Sequence, residues 1–327
     1  MPKTCFKPQL LRLVFAFAAV YIIWGSTYLG IKVALESMPP FFMVGARFLI
    51  AGLVMFGWTL IKGTPKPEPA HLLSTLILGV LLLGFGTTGV VLAERSLATG
   101  LVSLLVAMVP LFIVLFDWLR PSGKAPEMPV ILGVLLGIGG LAFLLGPNKF
   151  MSFGIDIGAV MCVVVGSMGS AAGALYSRSA KLPSSQLQTA GLEMLFAGIV
   201  LLLISFCVGE FSLVQHAHFS ERSLWALAYL VVFGSMVAFS AYVWLLKQVH
   251  PSQVATYAYV NPVVAVLLGW SMAGESITMQ TVLGAAIILS SVWLITQSPR
   301  KLVIKIDPGK TVKVNAVTKR KKEEALT

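Results

Sequence analysis

Long apolar stretches separated by short polar connections dominate the pattern of this chain. Ten segments are apolar over about the 20 residues that a membrane-spanning helix needs, at roughly 10–35, 39–61, 72–92, 97–119, 128–146, 154–177, 187–208, 223–246, 252–273 and 277–297. The connections are short and hold helix-breaking pairs such as Pro39-Pro40, and none is long enough to form a soluble domain. The pattern predicts an all-α membrane protein with ten transmembrane helices.

The composition supports a lipid environment. Of the 327 residues, 57% are hydrophobic and only 11% are charged, whereas soluble domains average about 25% charged residues. So few charges cannot cover a soluble surface, which argues against a soluble globular protein. Near the N-terminus, Ala16-Phe17-Ala18 resembles a signal-peptidase site, but the apolar run continues beyond it to Leu35. We therefore expect an uncleaved first span.

The positions of lysine and arginine predict the orientation. With ten spans, 19 basic residues fall on the side of the two termini and the even-numbered connections, and 4 fall on the opposite side. Because cytoplasmic connections are rich in basic residues, we expect a multi-pass protein of the inner (plasma) membrane with both termini cytoplasmic. Residues 298–327 hold nine basic and three acidic residues, which predicts a disordered cytoplasmic tail beside anionic lipid and not a nucleic-acid site.

The two halves of the sequence resemble each other. The stretch from Gly45 to Gly52 recurs as 191–198, and the pattern Pro110…Leu115…Trp118 recurs as Pro262…Leu267…Trp270. Each half contains five predicted spans, so the second must enter the membrane upside down relative to the first. We expect a five-helix repeat over residues 1–147 and its inverted copy over 148–297. Inverted repeats are typical of secondary transporters, in which the halves exchange conformations to give alternating access.

Two stretches carry a resemblance to a known family. "IIWGSTYLGIKVALESMPPFFMVGARFLIAG" at 22–52 and "VATYAYVNPVVAVLLGWSMAGESIT" at 254–278 resemble the signatures of EamA-type members of the drug/metabolite transporter superfamily. The resemblance covers residues 10–297, and within the family the chain is most similar to a group of bacterial inner-membrane proteins. It implies a ten-helix, five-plus-five inverted repeat that exports small metabolites, amino acids or drug-like compounds. The Gly274-Glu275 pair belongs to the signature, but the sequence reveals no mechanism for it.

Two prolines are candidate helix breaks. Pro110 and Pro262 lie inside predicted spans at equivalent positions of the two halves. Proline removes the hydrogen bond to the carbonyl four residues earlier, and irregular backbone at membrane depth is tolerated where it lines a cavity. A pair of such breaks indicates a substrate site. The alternative is a kink that serves only packing.

The candidate substrate-binding residues lie on two helix faces. Tyr257 and Asn261 are four residues apart beside the second break, and Trp24, Ser26 and Tyr28 lie near the middle of the first span. Their hydroxyl, amide and indole groups could bind a polar or amphipathic solute. The alternatives are hydrogen bonds between helices and, for aromatic residues, an interfacial belt. On the same face, Lys32 is predicted to extend to the membrane interface.

Ionisable residues inside spans are the strongest functional hypotheses. Arg47 and Glu193 occupy equivalent positions of the two halves, at a depth where a charge costs about 3 kcal/mol or more. One hypothesis makes Arg47 an anchor for a substrate carboxylate and Glu193 a proton-binding or amine-binding group. The alternative is an ion pair between the two residues. Glu94, where the third span meets a connection, is expected to be interfacial and is a second proton-coupling candidate.

Other chemistries find little support in the sequence. There is no phosphate-cradling G-x-x-x-x-G-K-[ST] motif of an ATP-driven pump, and no hydrolase motif such as G-x-S-x-G or H-E-x-x-H. Cys5, Cys162 and Cys207 are too far apart for a disulfide framework or metal site, and His216-x-His218 lacks further ligands. We expect no enzyme activity, cofactor or metal, and a monomer or weak homodimer. The alternatives to a metabolite carrier are a nucleotide-sugar or sugar-phosphate exchanger and a channel-like facilitator.

Overall fold

The computed structural model describes residues 6–119, 128–145, 156–216, 218–249, 254 and 256–297, and within these it contains helices and no strands. Fifteen α-helices and three π-helical segments follow in the order α1 (Phe6–Ala18), π1 (Ala19–Ile23), α2 (Trp24–Ala34), α3 (Pro40–Ile61), α4 (Pro69–Leu78), π2 (Gly79–Phe85), α5 (Gly86–Ala93), α6 (Thr99–Val106), α7 (Val109–Leu119), α8 (Met128–Leu145), α9 (Ile157–Tyr176), α10 (Gln186–Cys207), α11 (Glu210–His216), α12 (Glu221–Tyr229), π3 (Leu230–Val237), α13 (Ala238–Gln248), α14 (Tyr257–Ala273) and α15 (Met279–Gln297).

The helices have the lengths and compositions of membrane spans. Seven helical segments are long and apolar enough to cross a membrane, at Leu10–Ala34, Pro40–Ile61, Pro69–Ala93, Thr99–Leu119, Ile157–Tyr176, Gln186–Cys207 and Glu221–Leu245. Three further apolar helices are shorter, at Met128–Leu144, Val260–Ala273 and Met279–Leu294. The predicted all-helical membrane protein is confirmed. The count of ten spans stays a prediction.

Large apolar side chains cover much of the outer surface. Ile61, Leu203 and Trp225 are 81%, 60% and 70% exposed to the surroundings of the protein. Soluble proteins rarely show extended apolar patches of this kind. The exposed helix faces are therefore the ones that contact lipid, while smaller residues and the polar groups lie between helices.

The centre of the protein is the crossing of α3 and α10. Gly45 packs against Leu202 and Gly52 packs against Leu195, so the helices run antiparallel. A Cβ atom on Gly198 would lie 2.7 Å from the backbone Cα of Leu49, and glycine is the residue that permits this approach. The eight-residue stretch that recurs in the sequence is thus the place where the two halves of the chain pack against each other.

Three π-helical segments interrupt the long helices, and the sequence analysis missed all of them. The segments π2 and π3 lie within the span Pro69–Ala93 of the first half and the span Glu221–Leu245 of the second. Each packs beside the central crossing, with π2 against α10 and π3 against α3. A π-helical turn displaces backbone carbonyls from the regular α-helical pattern and is frequent at functional sites.

Helix α14 connects the two halves on a second side. It packs against α2 and α6, which both belong to the first half. Gly25 and Gly100 allow these approaches, because a Cβ on either would lie 2.6–2.7 Å from a valine side chain of α14. The tail over residues 298–327 and the boundary predicted at 147/148 lie outside the described residues.

Candidate functional site

An aromatic cluster lies where α2 meets the last helices of the second half. The ring of Trp24 lies 5.3 Å from Tyr242 and 5.1 Å from Tyr257, and the two tyrosine rings are 5.9 Å apart. Such distances are typical of tilted and edge-to-face aromatic pairs. The structure brings together Trp24 and Tyr257, which the sequence suggested separately. Tyr242, on α13, is a member that sequence analysis did not find.

Polar contacts across the halves hold this cluster. The indole nitrogen of Trp24 donates a hydrogen bond to the backbone carbonyl of Gly234 in π3, at 3.1 Å. The hydroxyl groups of Ser26 and Tyr229 are 2.6 Å apart, and Ser26 also donates to the backbone carbonyl of Ile23. A carbonyl in a π-helical segment is available to accept such a bond because the helix does not use it regularly.

The opposite side of Trp24 contains a second polar group. The hydroxyl oxygens of Tyr21 and Thr256 lie 2.5 Å apart. With its amide nitrogen placed as donor, Asn261 lies 3.2 Å from the backbone carbonyl oxygens of both Tyr257 and Tyr21. Asn261 is 8% exposed. Tyr257 thus contacts Trp24 of the first span, and Asn261 contacts the backbone of Tyr21 in the same span. Both Tyr257 and Asn261 are predicted site residues.

The guanidinium group of Arg47 is buried against π3. Its Nε donates to the Ser235 hydroxyl at 2.9 Å, and its charge lies 5.2 Å from the centre of the Phe48 ring. Only 7% of Arg47 is exposed. A Cβ atom on Gly234 would lie 3.1 Å from an Arg47 nitrogen. Arg47 therefore contacts a side chain of π3, and Trp24 contacts a backbone carbonyl of the same segment.

The carboxylate of Glu193 has a different environment. Glu193 is 9% exposed on α10, and π2 approaches so closely there that a Cβ on Gly79 would collide with the Glu193 carbonyl oxygen. Among the described residues, its side chain makes neither a hydrogen bond nor an ion pair. Glu193 therefore differs from Arg47, whose side chain has a hydrogen-bond partner.

Arg47 and Glu193 do not pair with each other, contrary to one of the two expectations. The packing of Gly52 against Leu195 places Glu193 at the level of Val54, so the two residues lie about 10 Å apart along the helix axes. Each also follows a packing glycine by two residues, a rotation of about 200°, so neither side chain points at the partner helix of the crossing.

The outer ends of the helices, on the side predicted to be periplasmic, contain an ion pair. Lys32 Nζ lies 2.7 Å from Glu275 Oε1. The carboxylate of Glu275 also accepts from the backbone nitrogens of Thr99 and Gly100, at 2.7 and 3.3 Å, and so caps α6. Burial alone would raise the pKa of Glu275, but the bonds from Lys32 and Thr99 hold it below its usual range. Lys32 thus pairs with a residue of the second half, a contact that the sequence does not predict, and its position at the membrane interface stays a prediction.

Glu94 lies just beyond the span Pro69–Ala93, and its side chain is enclosed by protein, so its interfacial depth stays a prediction. Only 3% of the residue is exposed. One carboxylate oxygen accepts from the Thr99 hydroxyl at 3.3 Å, while the other has no partner in the described part of the chain. Tyr28, a predicted site residue on α2, is within electrostatic range of Glu94 and of Tyr257. Tyr28 thus lies between the outer ion pair and the aromatic cluster.

The two candidate helix breaks differ in the structure. The fourth span is interrupted by a turn at 107–108, between α6 and α7, directly before Pro110. By contrast, Pro262 lies inside α14, which continues from Tyr257 to Ala273. Proline still removes one backbone donor from α14, so the carbonyl of Ala258 lacks its usual helical partner.

An apolar groove lies apart from this cluster. It has a volume of about 380 Å³ and is lined by residues of π2, α5, α9 and α10 such as Val80, Thr88 and Met161. None of the predicted site residues lines it. In the described residues there is no group of three or more metal-binding side chains. The polar cluster around Trp24, and not this groove, is the candidate site.

Apolar helices of this length, with ionisable and aromatic side chains buried between them, are typical of polytopic membrane proteins whose functional groups lie inside the bundle. The chain belongs to the EamA-like transporter family, whose model matches residues 11–146 and 157–297. It is 37% identical to the "Uncharacterized inner membrane transporter YedA" of Escherichia coli (strain K12) over 88% of this chain and 92% of that protein.

Other similarities are more distant. The "Uncharacterized transporter YoaV" of Bacillus subtilis (strain 168) is 23% identical over 88% of this chain and 97% of that protein. One solved structure, described as "Crystal structure of protein", superposes with a TM-score of 0.61 at 18% identity, over 88% of this chain and 98% of that one. At this identity the superposition shows a shared fold.

Proposed function

We propose that this member of the EamA-like family is a secondary carrier that moves small amphipathic metabolites, such as amino acids or drug-like compounds, outward across the inner membrane. It alternates access between two inverted five-helix repeats, residues 1–147 and 148–297. Both termini and the basic tail over 298–327 are cytoplasmic. The basis for orientation is the distribution of lysine and arginine, and the basis for export is resemblance to the family.

The observation that carries this proposal is the aromatic and polar cluster around Trp24. Its members come from α2 in the first half and from π3, α13 and α14 in the second. A solute bound there would contact both halves, so relative movement of the halves would change its access. Aromatic faces suit the apolar part of an amphipathic solute, and the Ser26, Tyr257 and Asn261 groups suit its polar part.

The buried charges support roles in binding and coupling. In this proposal Arg47 positions a substrate carboxylate, and Glu193 binds a proton or a substrate amine. The absence of a partner for Glu193 among the described residues supports the latter role. An unpaired carboxyl at this depth costs free energy, and ionisable groups at membrane depth are typical of transport and proton pathways. Glu94 is the second proton-coupling candidate, and Pro110 and Pro262 shape the helices that line the path.

A nucleotide-sugar or sugar-phosphate exchanger is the alternative substrate class. Phosphate groups are bound by clusters of basic side chains. In the described part of the chain, Arg47 is a single cation beside the aromatic cluster, and Lys32 is already paired with Glu275. A channel-like facilitator is the other alternative, and it would give flux that does not saturate. The carrier is favoured because a path formed between two halves of one chain can close at either end.

The test begins with thermal unfolding of the purified protein in the presence of amino acids, sugars, nucleosides and cationic drugs. A solute that binds the native state raises the melting temperature according to its concentration and Kd. A hit is then tested for saturable counterflow in liposomes. Failure of every solute class to give counterflow would contradict the carrier proposal.

A pair of matched variants locates the site. We expect Trp24→Phe, which reduces the aromatic surface beside Tyr242 and Tyr257 and removes the indole donor to Gly234, to weaken binding of the hit solute about tenfold, a loss of about 1.4 kcal/mol. The control is Trp118→Phe, at a side chain that is 51% exposed on α7, which we expect to leave the Kd unchanged. Equal changes of the Kd in the two variants would indicate that the solute does not bind at the cluster around Trp24.

A further inference from the structure

The structure gives a physical role to the signature pair Gly274-Glu275. Gly274 ends α14 with a φ of +66°, a left-handed conformation that glycine adopts without strain. The backbone nitrogen of Glu275 then donates to the Gly269 carbonyl at 3.0 Å. The Glu275 carboxylate folds back over Gly269, where any side chain would collide with it. The sequence Gly269…Gly274-Glu275 therefore fixes one carboxylate at the outer end of the protein.

That carboxylate ties the two halves of the chain together. Glu275 comes from the second half, and its three partners, Lys32 and the backbone nitrogens of Thr99 and Gly100, all come from the first. Lys32 ends the same helix that begins with Trp24. For the path to open on this side, α2 and α14 must separate, and the bond from Lys32 to Glu275 opposes that separation. We call Lys32 and Glu275 the outer gate.

Glu94 lies beside this gate and has a free oxygen. It is just beyond the span Pro69–Ala93, and burial raises the pKa of its carboxyl to about 8, although nearby Lys32 lowers it and Glu275 raises it. The other neighbouring groups are Tyr28 on α2, the Thr99 hydroxyl, and Arg95 and Asp156, with Asp156 bonded to Ser96 at the start of α9. Among these groups, the ammonium of Lys32 is the cation shared by Glu94 and Glu275.

A cleft borders Glu275 of the gate. It has a volume of about 280 Å³ and is lined by polar residues such as Ser276, Thr278 and Gln280 together with apolar residues such as Leu101 and Val266. Water in this cleft can exchange protons with the gate. Glu94 is therefore enclosed by protein, and the Lys32–Glu275 pair lies between it and the cleft.

We propose that Glu94 is a proton-binding site that controls the outer gate, so that the gate is closed when Glu94 is protonated and opens when the proton leaves. With Glu94 neutral, Lys32 and Glu275 balance each other. When Glu94 releases its proton to water in the cleft, two carboxylates compete for one ammonium. Lys32 is then drawn toward the less hydrated Glu94, because a buried charge without a partner costs more than an exposed one.

This inference rests on the proposed carrier function and adds a coupling ion to it. A proton that arrives from the cleft closes the outer side. Uptake of an external proton would therefore precede the return of the carrier to its inward-open form, which is the order that exchange of an entering proton for a departing solute requires.

The test measures the gate without any solute. In a chain with Cys5, Cys162 and Cys207 replaced by serine, Glu36→Cys and Met279→Cys place spin labels at exposed positions on the two sides of the gate. Pulsed electron paramagnetic resonance then records the distance between the labels from pH 6 to pH 9. We expect the wild-type distance to lengthen as the pH rises, with a midpoint near 8.

Variants identify the titrating group. We expect Glu94→Gln, which is permanently neutral, to keep the short distance at every pH, and Lys32→Gln to show the long distance at every pH. The matched control Asp156→Asn removes another outer carboxylate and should retain the wild-type curve. A wild-type pH response in Glu94→Gln would overturn the proposal. If that variant does not fold, Glu94→Asp should shift the midpoint, and an unchanged midpoint would overturn it equally.

The outcome separates this inference from the carrier proposal. If Glu94→Gln abolishes the pH response but no solute gives counterflow, the gate stands and the proposed function fails. If counterflow is found and Glu94→Gln still responds to pH as the wild type does, the carrier stands and the proton site fails.

Discussion

Matching positions in the two halves of the chain have different environments. Arg47 and Glu193 each follow a packing glycine by two residues on the two central helices, and each is more than nine-tenths buried. Arg47 nevertheless donates to Ser235, while Glu193 has no side-chain partner among the described residues. At the same helix crossing, the guanidinium of Arg47 is therefore held by a hydrogen bond, whereas the carboxyl of Glu193 is not. A shared backbone pattern does not impose a shared chemical role.

The largest expected effect comes from disturbing the crossing on which the comparison depends. We expect Gly198→Val to destabilise the protein by about 3 kcal/mol, the upper end of the usual overpacking range, because the new side chain meets the backbone of Leu49. Thermal unfolding in detergent measures the loss. The control is Gly57→Val, since a Cβ at Gly57 has no neighbour within 4 Å, and we expect a change of about 0.5 kcal/mol there. Equal losses would show that the crossing is not a tight contact.

The second-largest expected effect distinguishes the role of Arg47 from that of Glu193. We expect Arg47→Gln to lower the free energy of unfolding by about 1–3 kcal/mol, because the charge-assisted bond to Ser235 is lost. We expect Glu193→Gln to leave the melting temperature nearly unchanged and to reduce counterflow at least about tenfold, as loss of a binding contact of about 1.4 kcal/mol would. Parallel thermal unfolding and counterflow measurements check both.

Exchanging the two residues sharpens the same comparison. The double variant Arg47→Glu with Glu193→Arg would retain function if the residues formed a mutual ion pair. Because the structure separates them and gives them different neighbours, we expect the double variant to lose counterflow. Retained transport would contradict direct contact of either residue with the solute.

The smallest effect concerns the matching prolines. Pro262→Ala restores a donor to the carbonyl of Ala258 within the continuous helix α14. We expect the protein to remain folded and counterflow to fall by less than in Glu193→Gln. Pro110→Ala, beside the turn at 107–108, is the matched substitution in the first half. If Pro262→Ala leaves counterflow intact, the proline only bends the helix.

Several site residues could be predicted because their chemistry is unusual for a membrane helix. Trp24, Arg47, Glu193 and Tyr257 stand out against apolar neighbours, and the structure buries them or brings them together. In the sequence, no helix break or family stretch marks Tyr229, Tyr242 and Ser235. Their contacts with Ser26, Trp24 and Arg47 depend on how the second half packs against the first.

The contacts of Lys32 and Glu94 could not be predicted from the sequence. Both residues lie near the ends of predicted spans, which indicates their depth but not their partners. Glu275 is far from both along the chain, yet the turn at Gly274 brings it to Lys32. The position of a residue along its own helix sets its depth, but a distant segment decides whether its charge is paired.

Apolar length and a family signature are read from the order of residues, so they suffice to identify an all-helical membrane protein of the EamA-like family. The separation of Arg47 from Glu193, the bond from Trp24 to Gly234 and the pairing of Lys32 with Glu275 become visible in the folded protein. These contacts join residues more than 100 positions apart. They depend on helix register and rotation, which short glycine contacts set and which no local pattern specifies.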